Sequence, residues 1–245
     1  MAHIDVTDNE LELDSPTLVE GLPGAGLVGK IAADHLVSEL DMTYYAAVYC
    51  DGLPPVAVYR GEDSTLRPPV RVYAAAEEDL LVLQSDVPVS PSSAPDFANC
   101  LTDWLADNDA FPTYLSGLGD QKEGTPEVYG VYTGAGEARL DDAGIVPPAD
   151  GGVVSGPTGA LMYRAERVGL DSVGLVVECD EGFPDPEAAR ALVDAGIEPL
   201  TGIGVDTESL VNQAEDIREA RERLAQRMQQ AGDESSEAQP LRMFQ

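Results

Sequence analysis

Gly21-Leu22-Pro23-Gly24-Ala25-Gly26-Leu27-Val28-Gly29-Lys30 decides the fold, because an apolar run leads into it and a helical pattern leads out of it. Thr17 to Gly21 reads as a strand, and Leu27, Ile31, His35 (or Ala32) and Leu36 recur at helical spacing towards Leu40. Pro23 holds Leu22 extended, so the strand runs up to the loop and the helix begins near Gly26. The chain therefore opens on a β-turn-α unit. Its glycines admit two explanations. Gly24, Gly26 and Gly29 spell G-x-G-x-x-G, and Asp51 lies 22 residues beyond Gly29, as a ribose-binding acid would. Gly24, Gly29 and Lys30 also give G-x-x-x-x-G-K, but Ile31 follows and supplies no hydroxyl to a magnesium ion. The other explanation is structural: glycines permit positive φ and let a helix pack close to its strand.

Working outward, 245 residues suffice for one α/β domain with an appendage. Asp and Glu number 45 against 14 Lys and Arg, a net charge of −31 spread along the whole chain, and Lys30 and Lys122 are the two lysines. Such a surface repels phosphate backbones and anionic lipid, so nucleic acid and membranes are excluded as partners. With 43% hydrophobic residues the charge does not signal disorder. It fits a cytoplasm at molar salt, where screening within roughly 3 Å makes self-repulsion tolerable. Cys50, Cys100 and Cys179 are too scattered for a disulfide framework or a zinc cluster. No basic leader and no apolar run of ~20 residues is present, so a soluble cytoplasmic protein is expected.

Strand-like runs recur at Tyr44–Tyr49, Pro54–Tyr59, Val70–Tyr73, Leu80–Leu83, Tyr114–Gly119, Val128–Tyr132 and Ser172–Val177. A charged loop is expected between the second and third of these. The unbroken apolar Leu80–Leu83 predicts a strand covered on both faces, as in the middle of a parallel or mixed sheet. Phe97, Cys100, Leu101, Trp104 and Leu105 predict a helix starting at Pro95 or Asp96. A second β-turn-α unit is read as a strand over Gly152–Ser155, the turn Gly156-Pro157-Thr158-Gly159, and a helix from about Ala160 to Val168. Asp185 caps a further helix with Pro186 at its first position. Strand and helix are expected to alternate throughout a core of residues 1–206.

A long helix over 207–231 follows, with Leu210, Ala214, Ile217, Leu224 and Met228 on one stripe, interrupted at Arg221. It suits packing on its own domain or on a partner subunit. Residues 232–240 are polar and aperiodic, a flexible tether. Leu241-Arg242-Met243-Phe244-Gln245 then restores large apolar side chains, as a docking segment would.

Catalytic signals are sparse. His3 and His35 are the two histidines, no G-x-S-x-G elbow exists, and Ser155 has no evident base. Glu178, Asp180 and Glu181 flank Cys179 at a strand end and are the best-placed carboxylates.

Taken in order, Gly21–Gly29, Leu53-Pro54-Pro55-Val56, Pro69–Tyr73, Ser155–Leu161 and Pro184–Ala189 resemble the proteasome assembly chaperone family, in particular archaeal members related to the second eukaryotic assembly chaperone. The resemblance implies a mixed, largely parallel sheet flanked by helices, similar to nucleoside phosphorylases without their catalytic residues. It implies homo-oligomers and a non-enzymatic, ATP-independent chaperone that takes no cofactor or metal. It makes Gly21, Gly24, Gly26, Gly29 and Lys30 a structural turn and Ser155 to Gly159 a second family turn. Members often end in a hydrophobic residue, tyrosine and any residue, a tail that enters pockets between proteasome α subunits. Met243-Phe244-Gln245 looks like that tail, with Phe244 in place of tyrosine. The alternative is an enzyme that binds a nucleotide or phosphorylated ligand at Gly24 to Lys30.

Overall fold

The computed structural model describes residues 3–7, 11–50, 53–60, 63–119 and 124–212. The strands are β1 (His3–Val6), β2 (Thr17–Gly21), β3 (Thr43–Tyr49), β4 (Val58–Arg60), β5 (Asp63–Arg67), β6 (Val70–Ala75), β7 (Leu80–Ser85), β8 (Phe111–Gly119), β9 (Val128–Thr133) and β10 (Ser172–Cys179). The helices are α1 (Val28–Glu39), α2 (Ala94–Asp107), α3 (Gly136–Ala143), α4 (Gly156–Val168) and α5 (Pro186–Leu192). Eight strands form one sheet in the order β1-β3-β6-β7-β2-β8-β10-β9, and β4 and β5 pair with each other as a separate ribbon.

The centre of the sheet is parallel: β2 pairs in parallel with β7 and β8, and β8 with β10. Antiparallel strands flank it, with β6, β3 and β1 on one side and β9 on the other. Strand alternation sorts the core into two layers. Val19, Leu80 and Val82 face α1 and α5 with Ala32, Leu36 and Leu192. Leu18, Leu81 and Leu83 face α2 and α4 with Phe97, Leu101 and Leu161. All six residues of β7 are buried, and its first four, Leu80–Leu83, are the unbroken apolar run seen in the sequence.

Several expectations meet the structure closely. The Asp185 side chain caps α5 by accepting from the Ala188 N–H at 3.1 Å, with Pro186 beginning the helix. His35 is buried, its Nε2 lies 2.8 Å from the Asp206 carbonyl, and its Nδ1 lies 3.4 Å from the Ser209 hydroxyl. These contacts fasten the chain before helical residues 208–212 onto α1, and Leu210 is buried there. The rest of the expected C-terminal helix, the tether and Met243-Phe244-Gln245 lie outside the described residues.

Four readings are corrected. Pro54 to Ala57 are not strand, because the two prolines lack N–H groups for a ladder, and β4 starts at Val58. The expected charged loop that follows contains β5. Gly152–Ser155 is irregular: its glycine offers no side chain to a sheet and Val153 is 93% exposed. Strand and helix also fail to alternate between β3 and β7, where the helical segment among the described residues is the single turn Ala76–Glu78.

Candidate functional site

The first glycine turn sits at the carboxyl end of β2, where open α/β sheets place ligands. It begins as a single turn of tight helix, Ala25–Leu27, and passes through two left-handed residues, Gly26 (φ 60°) and Leu27 (φ 51°), before α1 starts at Val28. The turn is packed from below. A Cβ on Gly21 would lie 2.1 Å from the Ala33 Cβ and 2.9 Å from the Leu83 carbonyl oxygen, so α1 rests directly on β2. The Gly26 carbonyl accepts from the Asp185 N–H at 2.8 Å, joining the turn to the start of α5.

Lys30 extends away from the glycine backbone into a charged cluster. Its Nζ lies 2.9 Å from Asp34 Oδ2 and 3.3 Å from Asp86 Oδ1. Asp86 Oδ2 in turn accepts from Arg71 Nη1 at 2.6 Å. Arg71 is 1% exposed, donates through Nε to the Tyr73 hydroxyl at 3.0 Å and through Nη1 to the Pro68 carbonyl at 3.1 Å, and through Nη2 to Gln84. Gln84 Nε2 closes the chain by donating to Asp34 Oδ1 at 2.6 Å. Burial penalises the Asp86 carboxylate, yet its hydrogen bond to Arg71 and the charges of Arg71 and Lys30 outweigh that and lower its pKa. The lysine of the phosphate-binding pattern is thus engaged by carboxylates.

The first glycine turn and the first turn of α4, which begins at Gly156 and not near Ala160 as expected, meet on a residue that sequence reasoning missed. Glu20, the penultimate residue of β2, is fully buried. Its Oε1 accepts from the Leu22 N–H at 2.9 Å, its Oε2 from the Leu115 N–H at 3.2 Å, and Thr158 Oγ1 donates to both oxygens at 3.2 and 3.3 Å. One carboxyl group therefore joins the first turn, β8 and the first turn of α4. Ser155 caps α4 without a side-chain hydrogen bond, and Pro157 lies in its first turn. The available signal was an acid inside an otherwise apolar strand, immediately before a glycine turn. Burial, only partly offset by the Leu115, Leu22 and Thr158 hydrogen bonds, pushes the Glu20 pKa from 4.5 up to about 7.

That shift has a measurable sign. Folded Glu20 keeps its proton to about pH 7, whereas the unfolded chain releases it near 4.5. The stability it contributes is complete below pH 4.5 and is lost as pH rises towards 7. Glu20→Gln removes this component. Between pH 5 and 8, urea unfolding should show the wild type losing about 2–3 kcal/mol relative to the variant. Subtracting the two curves cancels the self-repulsion that both chains share, and Asp86 titrates below this window.

Of the three carboxylates around Cys179, Glu178 lines a cavity of about 350 Å³ at the ends of β8 and β10, together with Ser116, Tyr129 and the loop 148–154. Asp180 instead accepts from the Gly182 N–H at 2.9 Å within its own turn. Cys179 is buried, and Cys50 and Cys100 are half-buried. Among the described residues no group of three or more His, Cys, Asp or Glu is placed to hold a metal ion. No helix among them is long and apolar enough to cross a membrane.

Comparison with known proteins adds to this geometry. The model of the PAC2 family matches residues 18–225. A crystal structure of Pyrococcus furiosus PbaA, described as an archaeal homologue of proteasome-assembly chaperone, superposes with a TM-score of 0.80 at 28% identity, covering 95% of this chain and 96% of that one. Pyrococcus furiosus PbaB, described as an archaeal proteasome activator, shares the fold with a TM-score of 0.77 at 23% identity, over 91% of this chain and 98% of its own. An uncharacterised protein of Methanocaldococcus jannaschii is 28% identical over 234 residues, 95% of this chain and 94% of its own.

Proposed function

The chain belongs to the PAC2 family, and on that premise we propose that it is a cytoplasmic, non-enzymatic and ATP-independent proteasome assembly chaperone. It binds proteasome α subunits, or the core particle they form, and it works as a homo-oligomer. The observation that carries this reading is the nearly full-length likeness to PbaA, a homologue of proteasome-assembly chaperone. The site supports it: the glycine turn is packed against its own domain, and Lys30 is held by Asp34 and Asp86. The folded core supplies the body of the chaperone, and Met243-Phe244-Gln245 supplies the docking segment. Phe244 enters a pocket between α subunits, Met243 packs beside it, and apolar burial carries the affinity in a salt-rich cytoplasm.

Co-purification from cells of the source organism in high KCl tests this directly, with recovered proteasome subunits quantified for the intact chain and for one lacking residues 243–245. Removal of an aromatic anchor costs about 2 kcal/mol or more, so the Kd should rise by about thirtyfold or more and recovery should fall. Phe244→Tyr restores a phenolic hydroxyl and should tighten binding by about 0.5–1.5 kcal/mol, measured as a lower Kd for isolated α rings. If both the intact and shortened chains remain folded and neither recovers proteasome subunits, the partner is wrong.

A further inference from the structure

The proposed chaperone role leaves unused the cavity of about 350 Å³ at the carboxyl ends of β8 and β10. It lies where open α/β sheets place ligands, and its volume falls in the range of small-molecule pockets. Leu118, Val131, Val154 and Val176 give it apolar walls. Another wall comes from the irregular connection 144–155 between α3 and α4, which is fastened at both ends. The Gly130 N–H of β9 donates to the Val146 carbonyl at 2.9 Å, and α4 packs so closely on Val154 that a Cβ on Gly159 would lie 2.2 Å from its carbonyl oxygen. The cavity is therefore preformed. Between those fixed points Gly151 and Gly152 border it, and the fold requires glycine at neither: a Cβ on either would meet nothing within 4 Å, and neither has a left-handed φ. Two bare backbone positions keep the opening clear and let a ligand approach the main chain.

Charge sets the chemistry of what fits. Glu178 and Asp150 border the cavity, and among the described residues no Lys or Arg does. The Tyr129 hydroxyl donates to Glu127 Oε2 at 2.6 Å, so its ring is what Tyr129 offers and a further carboxylate stands beside it. An anion such as a nucleotide would meet these carboxylates with no counter-charge. A neutral apolar ligand would strip water from the half-buried Glu178 and give it no partner. An organic cation satisfies both walls: its ammonium pairs with the carboxylate, its hydrocarbon fills the valine side, and the Tyr129 ring adds a cation–π contact. We propose that this cavity is a binding site for a small organic cation, an alkyl- or arylamine, with Glu178 as its counter-charge. The site goes beyond the chaperone reading above and does not rest on it.

The test is a saturation-transfer NMR titration of the full chain in molar KCl. Phenethylamine and butylamine are the probes, phenethyl alcohol and butanol their neutral counterparts, and phenylpropionate the anion. An amine should bind saturably, and its neutral counterpart and the anion should bind about tenfold more weakly or worse. Glu178→Gln keeps the shape and removes the charge, so the amine Kd should rise by about tenfold or more. Gly152→Val narrows the cavity and should weaken binding without moving the urea midpoint, since nothing lies within 4 Å of the new Cβ. Glu166→Gln, which alters an exposed acid of α4, should bind as the wild type does. Failure of both amines to saturate overturns the proposal, as does equally tight binding of the alcohols. A Kd that Glu178→Gln leaves unchanged shows amine held by the acidic surface at large and also overturns it. If Glu178→Gln fails to fold, Gly152→Val decides: a folded variant that binds amine at full strength overturns the site.

Discussion

Arg71→Ala is expected to destabilise the domain by about 3–5 kcal/mol, read as the shift in urea midpoint at constant m-value. The side chain is 1% exposed and donates to Asp86, Gln84, Tyr73 and the Pro68 carbonyl. Truncation opens a cavity, removes the hydrogen bond to the fully buried Gln84, and takes from Asp86 the guanidinium that donates to it. Arg71→Lys keeps the charge and loses the fork that reaches several acceptors at once, so an intermediate loss is expected. Exposed Arg190 marks the opposite limit. Its pair with Asp194 joins side chains 47% and 38% exposed, and Arg190→Ala should change stability by under about 0.5 kcal/mol. Salt should separate the two cases further, since screening weakens the exposed pair far more than the buried one.

The contrast between these arginines also explains what could be read beforehand. The β2-turn-α1 unit, the buried β7 and the capped α5 were legible because each has a local cause: a proline and glycines at a turn, an unbroken apolar run, an Asp-Pro start. β1, β5 and α3 were not. Only Gly136 and Leu140 are buried in α3, so it presents no apolar stripe, and β1 alternates between exposed and half-buried positions. The antiparallel flank from β3 to β7 was also missed, because strand direction depends on how connections return to the sheet and leaves little trace in local periodicity. At the site, the two glycine-containing segments were visible as separate motifs. Their meeting on Glu20 was not, since Thr158 lies 138 residues away in sequence and only the sheet brings the two together.

Gly21→Ala is expected to cost about 4 kcal/mol, more than ordinary overpacking, whereas Gly24→Ala should stay within about 0.5 kcal/mol of wild type. The difference lies in what a new methyl group meets. At Gly21 it would stand 2.1 Å from the Ala33 Cβ and 2.9 Å from the Leu83 carbonyl, so α1 or β7 has to move away from β2. The same displacement strains the Leu22 N–H bond to Glu20, so the loss should be accompanied by a changed pH dependence between 5 and 7. At Gly24 nothing lies within 4 Å, and the backbone is extended at φ −142°, a conformation open to alanine. The pair therefore separates two roles for one loop. A structural turn is indifferent to Gly24→Ala in both stability and proteasome recovery. A loop that brings its backbone against a phosphate would tolerate the change in folding and lose ligand, so nucleotide added at 100 times its Kd would raise wild-type stability by about 2.7 kcal/mol and the variant by much less. Equal melting curves for both chains with and without nucleotide are the outcome expected here, because Lys30 already holds Asp34 and Asp86 and the turn is packed onto Ala33.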